Sequence, residues 1–394
     1  MAGMGEDPNR LVVLAMGTML AMTTWFSTSA VLPELRDQWE LGTNQASILI
    51  VVLQLGFVAG AVVSAVAGLA DRLPLRWFIA ASAVAAAGTN AMVIPVDGYG
   101  WAVVLRFLTG AFLAGVYPPA LKLIATWFRR GRGMAMGVMI AALTLGSAAP
   151  HLVNGLGGAD RSTVMYTTSL LTVTGAVIIL AAGMEGPYPF PRTPFRVSQV
   201  PRVMGDRAVA LASAGYFGHM WELYAMWAWI AAFLADAADR TGTSTNAPVL
   251  AFAAIAIGAV GAIAAGVAGD RVGKRRSAMS VMVASGSAAL VVGWSGLPFW
   301  LVVLVVLGWG FTVVADSAQF SAIVSERADQ AYVGTALTMQ LATGFLLTVA
   351  TIWLVPLVRD SLGWWWAFAM LAPGPFLGAW ALRCIDAATP EAAG

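Results

Sequence analysis

The residues best placed to do chemistry are acids, bases and polar groups set inside apolar stretches. Glu222 lies in Phe217-Gly218-His219-Met220-Trp221-Glu222-Leu223-Tyr224, with His219 three residues earlier and so on the same helix face. A carboxyl in an apolar wall can load and unload a proton at working pH. The same residue would also serve as a fixed ion pair or a neutral acid tying helices together. Asp316, Arg106 and His151 have similarly apolar surroundings. Asp316 fits a proton site or a partner for a base on a neighbouring helix. Arg106 fits an anion site, a proton-coupling partner or a structural ion pair. His219 and His151 fit titrating switches or plain hydrogen-bonding residues. Lys122 sits at a helix end, where it can snorkel. Trp25, Phe26, Phe217, Trp221, Tyr224, Trp227 and Trp229 crowd two of these stretches. Such rings beside an acid can hold an organic cation, or simply pack. Tyr117, Thr24, Gln54, Asn154, Gln319 and Gln340 are the remaining polar candidates to line a cavity.

The elements that must position these residues follow from composition. Of 394 residues, 59% are hydrophobic and 11% charged, against about 25% charged in soluble domains. The apolar runs are each near the ~20 residues that cross a bilayer as a helix. They do not alternate polar with apolar as barrel strands do, so helix is the spanning structure that satisfies the backbone in lipid. Twelve spans are expected, at roughly 11–34, 45–68, 76–95, 101–124, 133–155, 163–183, 208–234, 247–268, 277–295, 299–322, 332–357 and 363–385. Trp364, Trp365 and Trp366 at the start of the last suit a membrane interface. The long break, Glu185 to Asp206, holds Pro187, Pro189, Pro191, Pro194 and Pro201 with Arg192, Arg196 and Arg202. It reads as a polar linker between an N-terminal unit, 1–184, and a C-terminal unit, 208–394, with 185–207 joining them. Basic residues collect on alternate loops, including Arg129-Arg130-Gly131-Arg132 and Arg271 to Arg276. That bias places both termini and the linker in the cytoplasm. The segment Met1 to Arg10 is polar and lacks the pattern of a removable signal peptide. Cys384 is the single cysteine, so no internal disulfide or Cys-based metal site is expected.

One loop pattern occurs twice. Gly68-Leu69-Ala70-Asp71-Arg72-Leu73-Pro74-Leu75-Arg76 follows span 2, and Gly266-Val267-Ala268-Gly269-Asp270-Arg271-Val272-Gly273-Lys274-Arg275-Arg276 follows span 8. Asp71 and Asp270 lie 199 positions apart, about half the chain, which points to a duplicated six-helix unit. With these motifs the chain resembles the major facilitator superfamily over essentially its whole length. The second loop carries that family's pattern in full at Gly266, Asp270, Arg271, Gly273, Lys274 and Arg275. The first departs from it, with Ala67 and Pro74 for glycines and Leu75 for a base. Arg106-Phe107-Leu108-Thr109-Gly110 with Gly115 is a second resemblance, and Gly137, Gly146 and Pro150 a partial third.

The resemblance implies an all-α membrane protein of two pseudo-symmetric six-helix bundles, with spans 1, 4, 7 and 10 lining a cavity. It also implies a cytoplasmic gate, in which Asp71, Arg72 and Arg76, and their second-half counterparts, latch an acid onto a helix end and nearby arginines. The expectation is a secondary transporter in the cytoplasmic membrane that moves a small solute by alternating access coupled to protons. Glu222, Asp316 and His219 are its proton-coupling candidates. Trp25, Arg106, Tyr117, His151, Trp221, Tyr224, Gln319 and Gln340 are its cavity candidates. The mixed charges are compatible with efflux of an organic cation or drug and with carriage of a small anion or carboxylate. The expected partners are the solute, protons and the lipid bilayer, with no cofactor, metal or nucleic acid, in a chain acting as a monomer. Two histidines far apart and one cysteine argue against an enzyme. A non-transporting receptor of the same fold is the rival from another class.

Overall fold

The computed structural model describes residues 7–96, 98–128, 132–157, 160–188, 196–329 and 333–385. The Arg129-Arg130-Gly131 part of the basic cluster, Pro189, Pro191, Arg192 and Pro194 lie outside the described residues, as do the first and last residues of the chain. Among the described residues the regular secondary structure is entirely helical, and it is arranged as twelve spans.

Spans 2, 3, 5 and 6 are the helices Thr43–Ala67, Leu75–Ala91, Arg132–Gly157 and Arg161–Ala182. Spans 7, 8, 9 and 11 are Arg207–Thr241, Ala247–Val272, Lys274–Val292 and Val333–Leu362. The other four are broken. Span 1 runs as Pro8–Ala21, Ser27–Ala30 and Leu32–Trp39, and span 12 as Trp364–Ala369 and Pro373–Arg383. Span 4 is Tyr99–Leu113 then Tyr117–Ala125, and span 10 is Phe299–Val313 then Ser317–Arg327. By length and composition, seven helices among the described residues suit membrane crossing, the broken spans 4 and 10 each counted as one.

The duplication seen in the loops is also present in the helices. The breaks of spans 4 and 10 fall 200 positions apart and are both bridged by three-residue turns, Gly115 N–H to Phe112 O and Ala315 N–H to Thr312 O. Pro118 and Pro119 follow the first break and have no N–H to give to a helix. Spans 2 and 4, and likewise 8 and 10, touch backbone to backbone. A Cβ on Gly110 would lie 1.9 Å from Leu53 O, and one on Gly310 would lie 1.7 Å from Ala254 O. Small residues permit that approach where lipid gives helices no hydrophobic drive to associate. The two halves meet where span 5 packs on span 8 and span 2 on span 11.

The outer surface is apolar. Val63, Leu170, Leu304 and Leu377 are exposed along the spans, as suits contact with lipid tails rather than water. Trp294, Trp300, Trp365 and Trp366 are exposed at one end of the bundle and Trp77 at the other, forming aromatic belts. The end that carries Arg72, Arg76 and Arg271 to Arg276 is hereafter the basic end.

The departures in the first loop have a structural reason. Gly273 stands at φ 94 between spans 8 and 9, a conformation that disfavours side chains, and span 8 runs straight through Asp270 to Val272. Pro74 occupies the matching place in the first half and cannot adopt positive φ. There the left-handed residue is Gly68, at φ 62, which ends span 2 early. A one-turn helix, Leu69–Arg72, then carries Asp71.

Candidate functional site

Each half holds a buried polar junction at the meeting of its first, third and fourth spans. In the N-terminal half span 1 loses its helix over residues 22–26, which frees backbone carbonyls. Arg106 of span 4 closes onto them. Its Nη2 donates to Trp25 O at 2.9 Å, and its Nη1 donates to Asn90 Oδ1 at 2.9 Å, Ser27 Oγ at 3.2 Å and Thr24 O at 3.4 Å. Asn90 of span 3 extends the network, donating to Ser169 Oγ and Met165 O of span 6. Among the described residues no carboxylate pairs with Arg106, which is almost wholly buried. The arginine binds backbone and neutral side chains, and it does so inside its own half.

The matching junction in the C-terminal half is acidic. Glu222 of span 7 accepts from Trp309 Nε1 of span 10 at 2.7 Å and from Ser285 Oγ of span 9 at 2.8 Å. Its carboxyl therefore turns into the C-terminal bundle instead of toward the space between the halves. One turn earlier, His219 Nδ1 lies 2.7 Å from Asp316 Oδ1, and Nε2 lies 2.8 Å from Ser317 Oγ. Asp316 and Ser317 stand at the break of span 10, so the imidazole ties span 7 to that break. The structure thus brings Glu222, His219 and Asp316 into one buried region. Trp221, a cavity candidate from sequence, is only partly buried. Its Nε1 donates to Met370 O at 3.1 Å, which sets the ring against span 12.

Aromatic rings from both halves meet midway along the bundle. Trp25 lies 5.7 Å from Tyr224 and 5.8 Å from Phe345, and Phe57 lies 4.4 Å from Phe345. Phe26 lies 6.0 Å from Tyr224 and 5.9 Å from Trp227. Tyr117 is the first residue after the break of span 4. Phe57, Phe345 and Tyr216 do not stand out in the sequence, where apolar helices are dense with such rings. Nor do Asn90, Ser285 and Trp309. Their signal is polarity or an indole N–H in mid-span, opposite a charge whose facing partner only the fold reveals.

From the basic end a cavity of about 200 Å³ enters between spans 2, 4 and 11. Ala61 and Leu341 line its walls, each one turn from Phe57 and Phe345, and Pro118 follows Tyr117 on the third side. Asp71 and Lys122 flank it, and Asp71 pairs with Lys122, whose Nζ also donates to Ala70 O at 2.9 Å. This partner differs from the arginines implied by the family resemblance. Arg76 instead lies over the Trp77 ring at 5.9 Å. In the second loop, a Cβ on Gly133 would lie 2.7 Å from Asp270 Oδ1, so that carboxylate sits against the first turn of span 5, where backbone N–H groups are free. Lys274 pairs with Glu326, and Arg275 reaches Leu382 O and Arg383 O at 3.5 Å.

At the opposite end the halves are joined. Thr43 Oγ1 donates to Asp360 Oδ2 at 2.8 Å between spans 2 and 11, and Asn246 Nδ2 donates to Gly155 O at 2.9 Å between spans 8 and 5. Of the remaining candidates, Gln319 Nε2 donates to Ala265 O at 2.9 Å, tying span 10 to span 8, and Asn154 donates to Ala30 O of span 1. Among the described residues no partner bonds either ring nitrogen of the buried His151 or Nε2 of the buried Gln340.

No curated protein matches the chain by sequence. The sequence profile described as Major Facilitator Superfamily matches residues 14–252. The crystal structure of the human organic anion transporter MFSD10 (TETRAN) is similar in fold, with a TM-score of 0.73 at 16% sequence identity over 96% of this chain and 100% of that one.

Proposed function

The chain belongs to the Major Facilitator Superfamily, and from that premise we propose that it is a proton-linked carrier of a small organic solute working by alternating access. It is a multi-pass membrane transporter; the coupling and the solute are the proposal. The observation that carries it is the contrast between the two ends. The Thr43–Asp360 and Asn246–Gly155 bonds join the halves at one end, while at the other they touch at Asp270 and Gly133 but leave a cavity between spans 2, 4 and 11 that ends one turn short of the Phe57–Phe345 pair. Alternation would break the first set and close the second around the central rings. The proton would act through His219, Asp316 and Glu222. Adding or removing one there changes the bonds that hold span 7 to the break of span 10, and so favours one arrangement over the other.

A covalent lock tests alternation whichever way the solute moves. In a Cys384→Ser background, Thr43→Cys and Asp360→Cys are bridged with a short bismaleimide. Uptake driven by a pH gradient is then measured in proteoliposomes with labelled aromatic acids, amines and amides. The unlocked protein should accumulate at least one of them, and the locked protein none. Equal uptake in both would refute alternation.

The basic end would face the cytoplasm of the cell, carrying both termini with it, because loops rich in Lys and Arg are retained there. Pro187→Cys and Thr243→Cys, both at exposed positions near opposite ends, should differ in intact cells. An impermeant maleimide should label Thr243→Cys alone. Labelling of Pro187→Cys alone would invert the orientation.

A further inference from the structure

We propose that the central aromatic cluster is a binding site for a planar organic anion, with Tyr117, Tyr224 and Trp25 donating to its oxygens. The proposal deepens the carrier reading above by naming the solute class, and it rests on that reading.

Three observations converge. The rings of Trp25 and Phe57 face those of Tyr224 and Phe345 across the seam between the halves. The rings pack directly on one another, tilted by 39–49°, on elements that would part during alternation, so a flat guest fits between them once they part. Next, hydrogen-bonding groups at the cluster lack partners. Trp25 Nε1 and Gln54 Oε1 are buried with none, Gln54 lying one turn from Phe57 on span 2. Buried polar groups are nearly always bonded, so groups without a protein partner beside the rings are available to a guest. Tyr224 lies in the ring cluster, and Tyr117, from the opposite half, precedes Pro118 on the wall of the cavity that leads toward it. Last, a buried positive charge adjoins the cluster. Arg106 is hydrogen-bonded to the carbonyl of Trp25 itself, and among the described residues it pairs with no carboxylate. An uncompensated buried cation sets a positive potential around it in a low-dielectric interior. Of the acids that would attract a cation, Glu222 is hydrogen-bonded to Ser285 and Trp309, and Asp316 lies 2.7 Å from His219, all within the C-terminal half. Aromatic faces alone would accept a cation, but the charge arrangement here opposes one.

Benzoate, benzamide and benzamidine share a shape and differ in charge, so they separate the readings. Binding is measured on the purified full chain by equilibrium dialysis and by the shift in thermal unfolding. Benzoate should bind at least tenfold more tightly than benzamidine, with benzamide between them. Tyr117→Phe and Tyr224→Phe should each weaken benzoate about tenfold, since a hydrogen bond to a charged group contributes roughly 1.5–3 kcal/mol, and should leave unfolding of the ligand-free protein unchanged. Tightest binding by benzamidine, binding by none of the three, or unweakened benzoate binding in the double Tyr→Phe variant would each overturn the proposal. These are binding measurements, so their failure leaves the locked-carrier flux experiment standing, and failure of that experiment leaves these results interpretable.

Discussion

Glu222→Gln should abolish solute accumulation driven by a pH gradient while leaving a folded protein that still exchanges solute across the membrane. The junction tolerates this change. The amide oxygen can still accept from Trp309 Nε1, and the amide nitrogen can donate to Ser285 Oγ, which is able to accept. Fold and helix contacts are kept, and the titrating proton is removed. Glu222→Ala should behave differently. It leaves a buried indole N–H and hydroxyl without partners, at a cost of about 1–3 kcal/mol each, and should lower thermal stability as well as transport. Parallel measurement of gradient-driven uptake, counterflow and melting temperature in the two variants separates coupling from structure. Full accumulation by the Gln variant would move the proton role to the His219–Asp316 pair, which lies one turn away at the break of span 10.

Arg106→Met should cost the protein its stability, with loss of transport following from that. Four acceptors converge on the guanidinium, two of them carbonyls of the unwound stretch of span 1. Removing it leaves Trp25 O buried without a donor and leaves Thr24 O and Asn90 Oδ1 to share the Ser27 hydroxyl, at roughly 3–5 kcal/mol in sum after relaxation, by the measure of other broken buried charge networks. That is a large share of the ~5–15 kcal/mol that holds a typical folded domain. The expected result is poor recovery of monodisperse protein and a lowered unfolding temperature in detergent. Arg106→Lys should fall between, because an ammonium is a point donor and cannot bridge Trp25 O and Asn90 Oδ1 as the fork does. An Arg106→Met protein that melts normally but fails to transport would show instead that the arginine acts on the solute.

Much of the architecture is legible from residue types. Apolar runs of bilayer length between basic loops announce helices, their number and their alternation, because lipid leaves the backbone no other way to satisfy its hydrogen bonds. The repeated loop announces the duplication. The break in span 1 is not announced. Residues 22–26 contain neither Gly nor Pro, and the partner of their freed carbonyls, Arg106, is some 80 positions distant.

Rotation about each helix axis is the other quantity left to tertiary structure. Glu222, Trp221 and Tyr224 sit within four residues of one another, yet they face spans 9 and 10, span 12, and the seam between the halves respectively. In a water-soluble helix a polar face and an apolar face would have assigned these directions. Here lipid and protein interior are equally apolar, so hydrophobic periodicity says nothing about which side meets which. The directions come from close packing at small residues and from the demand that each buried polar group find a partner. Both depend on the neighbouring helices, and so they exist only once the bundle is assembled.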